Sequence, residues 1–242
     1  MVPALALIVA LSGCRSSEKP SQPLTPRRER AEKVSAPPPP TATLKVTVRA
    51  AGPLPEKLKS AGPCGVAPPT VGADGALADV AVWVNQVVST PIPAAGSVAL
   101  SGCALEPPLL MLTPGSAVSV RNPGKVAREI RVFAAGAAPD AAPFSARALP
   151  PGGVAGLTLP KDGLAAISCV GEPCEGAVVV GAAGHLTDPT GHALVRGVSG
   201  GDVTVYAYHP ALGQVEGKVT TQLGATAELT LTLPAPSPSP SP

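Results

Sequence analysis

Residues 167 to 180 read ISCVGEPCEGAVVV. Cys169 and Cys174 bracket a four-residue turn containing Gly171 and Pro173, and Glu172 and Glu175 sit beside the second sulfur. A β-branched run enters this loop and another leaves it. Sulfur so placed has three chemistries open to it. A thiolate joins two imidazoles and a weak axial ligand around copper, a thiol pair cycles between oxidation states, or a disulfide closes the loop. The spacing is not Cys-x-x-Cys, and no helix N-terminus is evident to lower a thiol pKa, which argues against cycling. The His and Met that would complete a copper set do not follow within the loop. The chain's three histidines, His185, His192 and His209, all come later.

The first residues set the expected compartment. MVPALALIVALSGC is an apolar run too short to span a bilayer but suited to the hydrophobic region of a signal peptide. Its end, Leu-Ser-Gly-Cys, resembles the bacterial lipobox, in which the cysteine is lipidated and becomes the mature N-terminus; here that residue is Cys14. No Lys or Arg precedes the run, which departs from the usual pattern. Arg15 rather than Asp follows the cysteine, which by analogy directs the product to the outer membrane, facing the periplasm. Acyl chains there are the expected membrane anchor. An exported chain meets an oxidising compartment. Four cysteines then remain, Cys64, Cys103, Cys169 and Cys174, and spacing alone does not choose among their three pairings.

The elements around the loop read as β throughout. The chain has 242 residues, 45% hydrophobic but only 2% aromatic, with 32 prolines, so its apolar mass is Ala, Val and Leu cut into short runs. Residues 14–42 are rich in Pro, Ser and charge and predict a disordered tether, and 234–242 predict a disordered tail. Between them, TLKVTVRA (43–50) alternates as a half-buried strand does, and LADVAVWVNQVV (77–88) carries Val at alternate positions. Further short runs predict strands over 97–102, 109–115, 116–124, 129–136, 153–160, 164–170 and 176–182. Their spacing predicts a sandwich or barrel. A second group follows, with turns at DPTG (188–191) and SGGD (199–202) and alternating strands at 203–209, 214–221 and 227–233. Its fifty or so residues would be marginal alone, so it is expected to pack on the first group.

The order of these pieces resembles bacterial exported proteins with a cupredoxin-like domain followed by a carboxypeptidase-regulatory-like β-sandwich. The resemblance runs from about residue 60 to 233. Its carriers are Cys64-Gly65, VGADGALADVAVWV, CALEPPLLMLTPGSAVSVRNPG, the cysteine loop and TDPTGHALVRGVSGGDVTVYAYHPALG. Members carry a His-Asn-Val-His strand and a Cys-x-x-His-Pro-Trp-Met loop before a valine run. The resemblance implies a cupredoxin-like Greek-key sandwich over 43–182 and a small Ig- or transthyretin-like sandwich over 183–233, after a signal peptide at 1–13. It also places the former metal ligands at Arg128, Cys169, Glu172 and Glu175, of which only the cysteine is kept. Arg has no lone pair to offer a metal, and two carboxylates do not replace imidazole and thioether. Cys174 stands where members have Trp, and with Cys169 it is expected to form a structural disulfide, leaving Cys64 and Cys103 to pair. A salt bridge from Arg128 to Glu172 and Glu175 is the expected replacement for the metal.

Other functions find little support. Eighteen basic and sixteen acidic residues give a net charge of +2, which recommends no nucleic-acid partner. One Trp, two Tyr and two Phe are too few for aromatic binding platforms. Trp83 is expected in the core, and Tyr206 and Tyr208 share one strand face, either meeting a partner at an edge or forming a half-buried sheet surface. No Gly-x-Ser-x-Gly turn, glycine-rich phosphate loop or paired-carboxylate signature is present. The expectation is a non-enzymatic, cofactor-free lipoprotein acting as a structural or binding module for an unknown protein partner. The alternative is a periplasmic copper-binding electron-transfer protein with a rearranged site around Cys169.

Overall fold

The computed structural model describes residues 40–54, 68–86, 95–134, 141–170, 174–181 and 183–234. Cys14, Cys64, Glu172, the signal peptide, the tether up to residue 39 and the tail beyond Pro234 lie outside the described residues, as does the side chain of Glu175. The described part is all-β and falls within one compact unit, Pro39–Pro242.

The first sandwich begins with β1 (Ala42–Ala50). Its alternation places Leu44, Val46 and Val48 fully inside while Lys45 and Thr47 stay half-exposed. It runs antiparallel to β13 (His192–Val198) and parallel to β16 (Thr226–Leu233). The facing sheet is ordered β12 (Ala183–Leu186), β2 (Ala81–Val84), β14 (Gly201–His209), β15 (Gly213–Thr221). Val82, Val84, Val203, Val205 and Ala207 close the core from that side.

The second sandwich faces a five-stranded sheet against a four-stranded one. The former is ordered β5 (Leu109–Leu112), β11 (Glu175–Val180), β10 (Gly163–Cys169), β7 (Arg128–Ala134), β8 (Ser145–Leu149). The latter is ordered β4 (Ala104–Glu106), β3 (Ala95–Ser101), β6 (Ala117–Arg121), β9 (Val154–Thr158). Val98, Leu105, Val118, Val120, Ile130, Val132, Leu157, Ile167, Val178 and Val180 form its core.

These sheets divide the chain differently from the expected boundaries of 43–182 and 183–233. β1 and β2 come early in sequence yet supply strands to both sheets of the late sandwich. The physical reason is core size: a sandwich of about fifty residues buries too little apolar surface. β1 adds four fully buried apolar side chains, Ala42, Leu44, Val46 and Val48, between β13 and β16, and β2 adds Val82 and Val84 opposite.

The two sandwiches meet along a second use of the same strands. Period-two alternation turns Ala81 and Trp83 of β2 away from Val82 and Val84, and all four are buried. They join Tyr206 and Tyr208 of β14 against Leu109 and Met111 of β5 and Ala177 and Val179 of β11. The Trp83 and Tyr206 rings stack with centroids 5.3 Å apart. The tyrosine face is thus a packed sheet surface, and β14 lies between β2 and β15 rather than at an edge. Gly184 lets this seam close, since a Cβ there would collide with the Val82 carbonyl and the Met111 methyl.

The DPTG turn forms as expected. The Asp188 carboxylate accepts from the Thr190 amide at 2.8 Å and the His192 amide at 3.1 Å. Gly191 takes φ 76° there, and a Cβ would press on the Val48 carbonyl.

A fragment spanning residues 183–233 is expected to be unfolded, because it lacks β1 and β2. Far-UV circular dichroism with a cooperative melt from that fragment alone would contradict the shared-strand architecture.

Candidate functional site

The cysteine loop closes one end of the five-stranded sheet. β10 and β11 pair antiparallel up to Ser168 opposite Glu175, and the Cys169 amide donates to the Cys174 carbonyl at 3.3 Å. Cys169 and Cys174 are joined by a disulfide with Cα atoms 5.1 Å apart. Cys174 is buried and Cys169 half-buried, both against the core of their sandwich. Cys103, in the turn between β3 and β4, is also disulfide-bonded.

Arg128 comes to the same end of the sheet. Cys169 faces Ile130 across the ladder, and the Val170 amide donates to the Glu129 carbonyl at 2.9 Å. Arg128 shares the face of Ile130, two residues away, so the sheet points Arg128 and Cys169 the same way. The neighbouring positions face outward, where Glu129 and Arg131 make an ion pair at 2.7 Å. Of the four positions where the resemblance places ligands, the described residues therefore bring Arg128 and Cys169 to one end and face. The expected bridge from Arg128 to Glu172 and Glu175 falls outside the described side chains.

The segment leading to Arg128 is organised by Asn122, which falls in the run expected as a strand over 116–124 but lies just beyond the observed strand end at Arg121. Asn122 is 2% exposed. Its side-chain amide donates to the Val126 carbonyl at 2.8 Å and the Leu149 carbonyl at 3.1 Å, and its oxygen accepts from the Gly124 amide at 3.0 Å. One buried amide thus ties the β6–β7 loop to the end of β8.

The three histidines lie on other sheets. His185 is on β12, His192 on β13 and His209 on β14, all in the first sandwich, whereas Cys169 ends β10 in the second. His192 is held through Nδ1 by the Thr47 hydroxyl at 3.0 Å. Among the described residues, no group of three or more His, Cys, Asp or Glu is arranged to hold a metal ion. The residues at the positions where the resemblance places copper ligands do not fit that metal: the Cys169 sulfur is bonded to the Cys174 sulfur, and a guanidinium stands at position 128. No step through copper is therefore derived.

Among the described residues, His209 is a strongly perturbed titrating group. It is buried at the end of β14, and its Nδ1 accepts the Ala211 amide at 3.1 Å. Burial pushes its pKa down to about 4, against a weaker opposing pull from the Asp79 carboxylate. The period-two pattern of VTVYAYH could have revealed this, because His209 falls in step with Val203, Val205 and Ala207, which face inward.

No family model matches the chain, and no curated protein matches it. Among solved structures it is similar to amicyanin. Amicyanin from Paracoccus versutus is 17% identical, with 41% of this chain and 96% of that one covered and a TM-score of 0.31. A reduced amicyanin variant is 20% identical, with 41% and 97% covered and a TM-score of 0.31. Overlap of this degree carries no chemistry from amicyanin to this chain.

Replacing Cys169 and Cys174 together by Ala is expected to cost about 2 kcal/mol, the chain-entropy value for so short a loop. A urea midpoint unchanged from the parent would contradict a structural role for the bond. The second expectation concerns pH. Folded His209 titrates near 4, below its ordinary 6.5, so the unfolded chain binds the extra proton first as pH falls. The stabilisation is complete above about pH 6.5 and is lost as pH drops towards 4, a swing of about 3 kcal/mol. His209→Asn, which keeps an acceptor near the Nδ1 position, is expected to flatten that part of the stability profile. A slope between pH 4 and 6.5 that is the same in both proteins would contradict the assignment.

Proposed function

We propose that this chain is a non-catalytic bacterial lipoprotein: a structural or binding module on a cupredoxin-like scaffold that no longer holds copper, fused to a carboxypeptidase-regulatory-like sandwich. Its signal peptide ends at residue 13, Cys14 carries the lipid, and the tether holds the folded part on the periplasmic side of the outer membrane, where it meets a protein partner.

The bond between Cys169 and Cys174 carries this reading twice over. A sulfur in a disulfide is not the thiolate that a blue-copper centre requires. Disulfides also persist in oxidising compartments such as the periplasm and are rare in the cytosol, and Cys103 is disulfide-bonded as well. The lipobox-like Leu11-Ser12-Gly13-Cys14 supplies the means of attachment.

Two arms test it. In a bacterial host the full chain is expected to sediment with outer-membrane fractions and enter the detergent phase, while Cys14→Ser is released into the soluble fraction. Recovery of the parent as a soluble protein with unmodified Cys14 would overturn the anchoring. Cu(II) added to the oxidised protein is expected to give no intense thiolate-to-copper absorption in the visible. A blue band would overturn the metal-free reading.

A further inference from the structure

A cavity of about 320 Å³ opens where the two sandwiches meet. That lies at the lower end of the range for small-molecule pockets, about 300–1,000 Å³. Proline rings and two leucines make its walls: Pro107, Pro108 and Leu109 come from the β4–β5 segment, and Leu186 and Pro210 from the first sandwich. Three polar side chains also line it, Thr70, Asp79 and His209.

Their chemistry is defined by their other bonds. His209 is 5% exposed. Because Nδ1 accepts the Ala211 amide, the ring proton sits on Nε2, which is therefore a donor. Burial keeps the ring neutral at neutral pH. Asp79 is exposed at the rim and takes a left-handed backbone, φ 58°. It is fixed there by Thr187: the Asp79 amide donates to the Thr187 carbonyl at 3.1 Å, and the next amide, of Val80, donates to the Thr187 hydroxyl at 3.0 Å. The Thr187 hydroxyl in turn donates to the Leu77 carbonyl at 2.6 Å. Among the described residues that line it, none is Lys or Arg. The described walls are thus mainly apolar, and the one formal charge among them is negative.

We propose that this cavity binds a small organic monocation, a protonated amine with a compact apolar body. The ammonium pairs with the Asp79 carboxylate, and the body packs on the proline rings. An anion would meet the Asp79 charge with no cation among the described lining residues to offset it. This site involves neither Cys14 nor Cys169, so it stands or falls separately from the anchoring and the metal-free reading.

The test uses the full chain and two probes of one shape, piperidinium and neutral tetrahydropyran, followed through the His209 ring resonances. Piperidinium is expected to shift them saturably, and tetrahydropyran is not. Asp79→Asn, which tolerates the left-handed backbone, is expected to weaken piperidinium binding about tenfold or more. Asp74→Asn is the control: Asp74 is also left-handed, at φ 56°, but lines a different cavity, and its affinity for the probe is expected to equal the parent's. The proposal is overturned by the absence of a saturable shift with piperidinium, by equal binding of tetrahydropyran, by undiminished affinity in Asp79→Asn, or by an equal loss in Asp74→Asn.

Discussion

The side chains of β2 have no face turned to water. Val82 and Val84 fill one sandwich core, Ala81 and Trp83 fill the seam to the other sandwich, and all four are buried. β11 answers from the opposite side, with Val178 and Val180 inward and Ala177 and Val179 in the seam. A strand buried on both faces is the ordinary condition of parallel α/β sheets, where helices cover it; here other sheets do the covering. The consequence is that neither sandwich can be separated without exposing Trp83, one of the largest apolar surfaces a residue can bury. The cavity beside His209 exists because the same seam ends in proline-rich segments that do not fill it.

The second constraint is the sulfur at the end of β10. A loop that could present Cys169 as a ligand instead ties it to Cys174, and the valine run that follows is committed to two cores at once. Nearby, Asn122 holds the approach to Arg128 through four hydrogen bonds from a buried side chain. Buried amides that are satisfied in this way fix loop geometry, because removing one strands several backbone groups at once. That end of the sandwich is therefore stitched by covalent and polar bonds.

Local patterning carried the strands but not their partners. The alternation in residues 43–50, 203–209 and 227–233 was plain, and β1, β14 and β16 follow it closely. Nothing local could say that β1 would pair with strands some 150 and 180 positions later, as Val46 with Ala193 and with Leu229. The run from 77 to 88 looked like one long strand, yet among its described residues the strand is Ala81–Val84, with left-handed Asp79 before it. β8 was not visible because SARAL, at a sheet edge, is buried only at its two ends. β13 was obscured by Leu194, an exposed apolar residue on its outer face. The disulfide was legible from two cysteines flanking a short turn. Asn122 was not, because a buried amide and a turn amide look the same in sequence.

The account depends most on the seam making one cooperative body of four sheets. Native-state hydrogen exchange measures this directly, since amides that open only on global unfolding share a single free energy. The account predicts that the slowest amides of β1, β2 and β14 and those of β10 and β11 converge on one common value. Two plateaus, one for each sandwich and separated by several kcal/mol, would show that the seam does not couple them and would contradict the account.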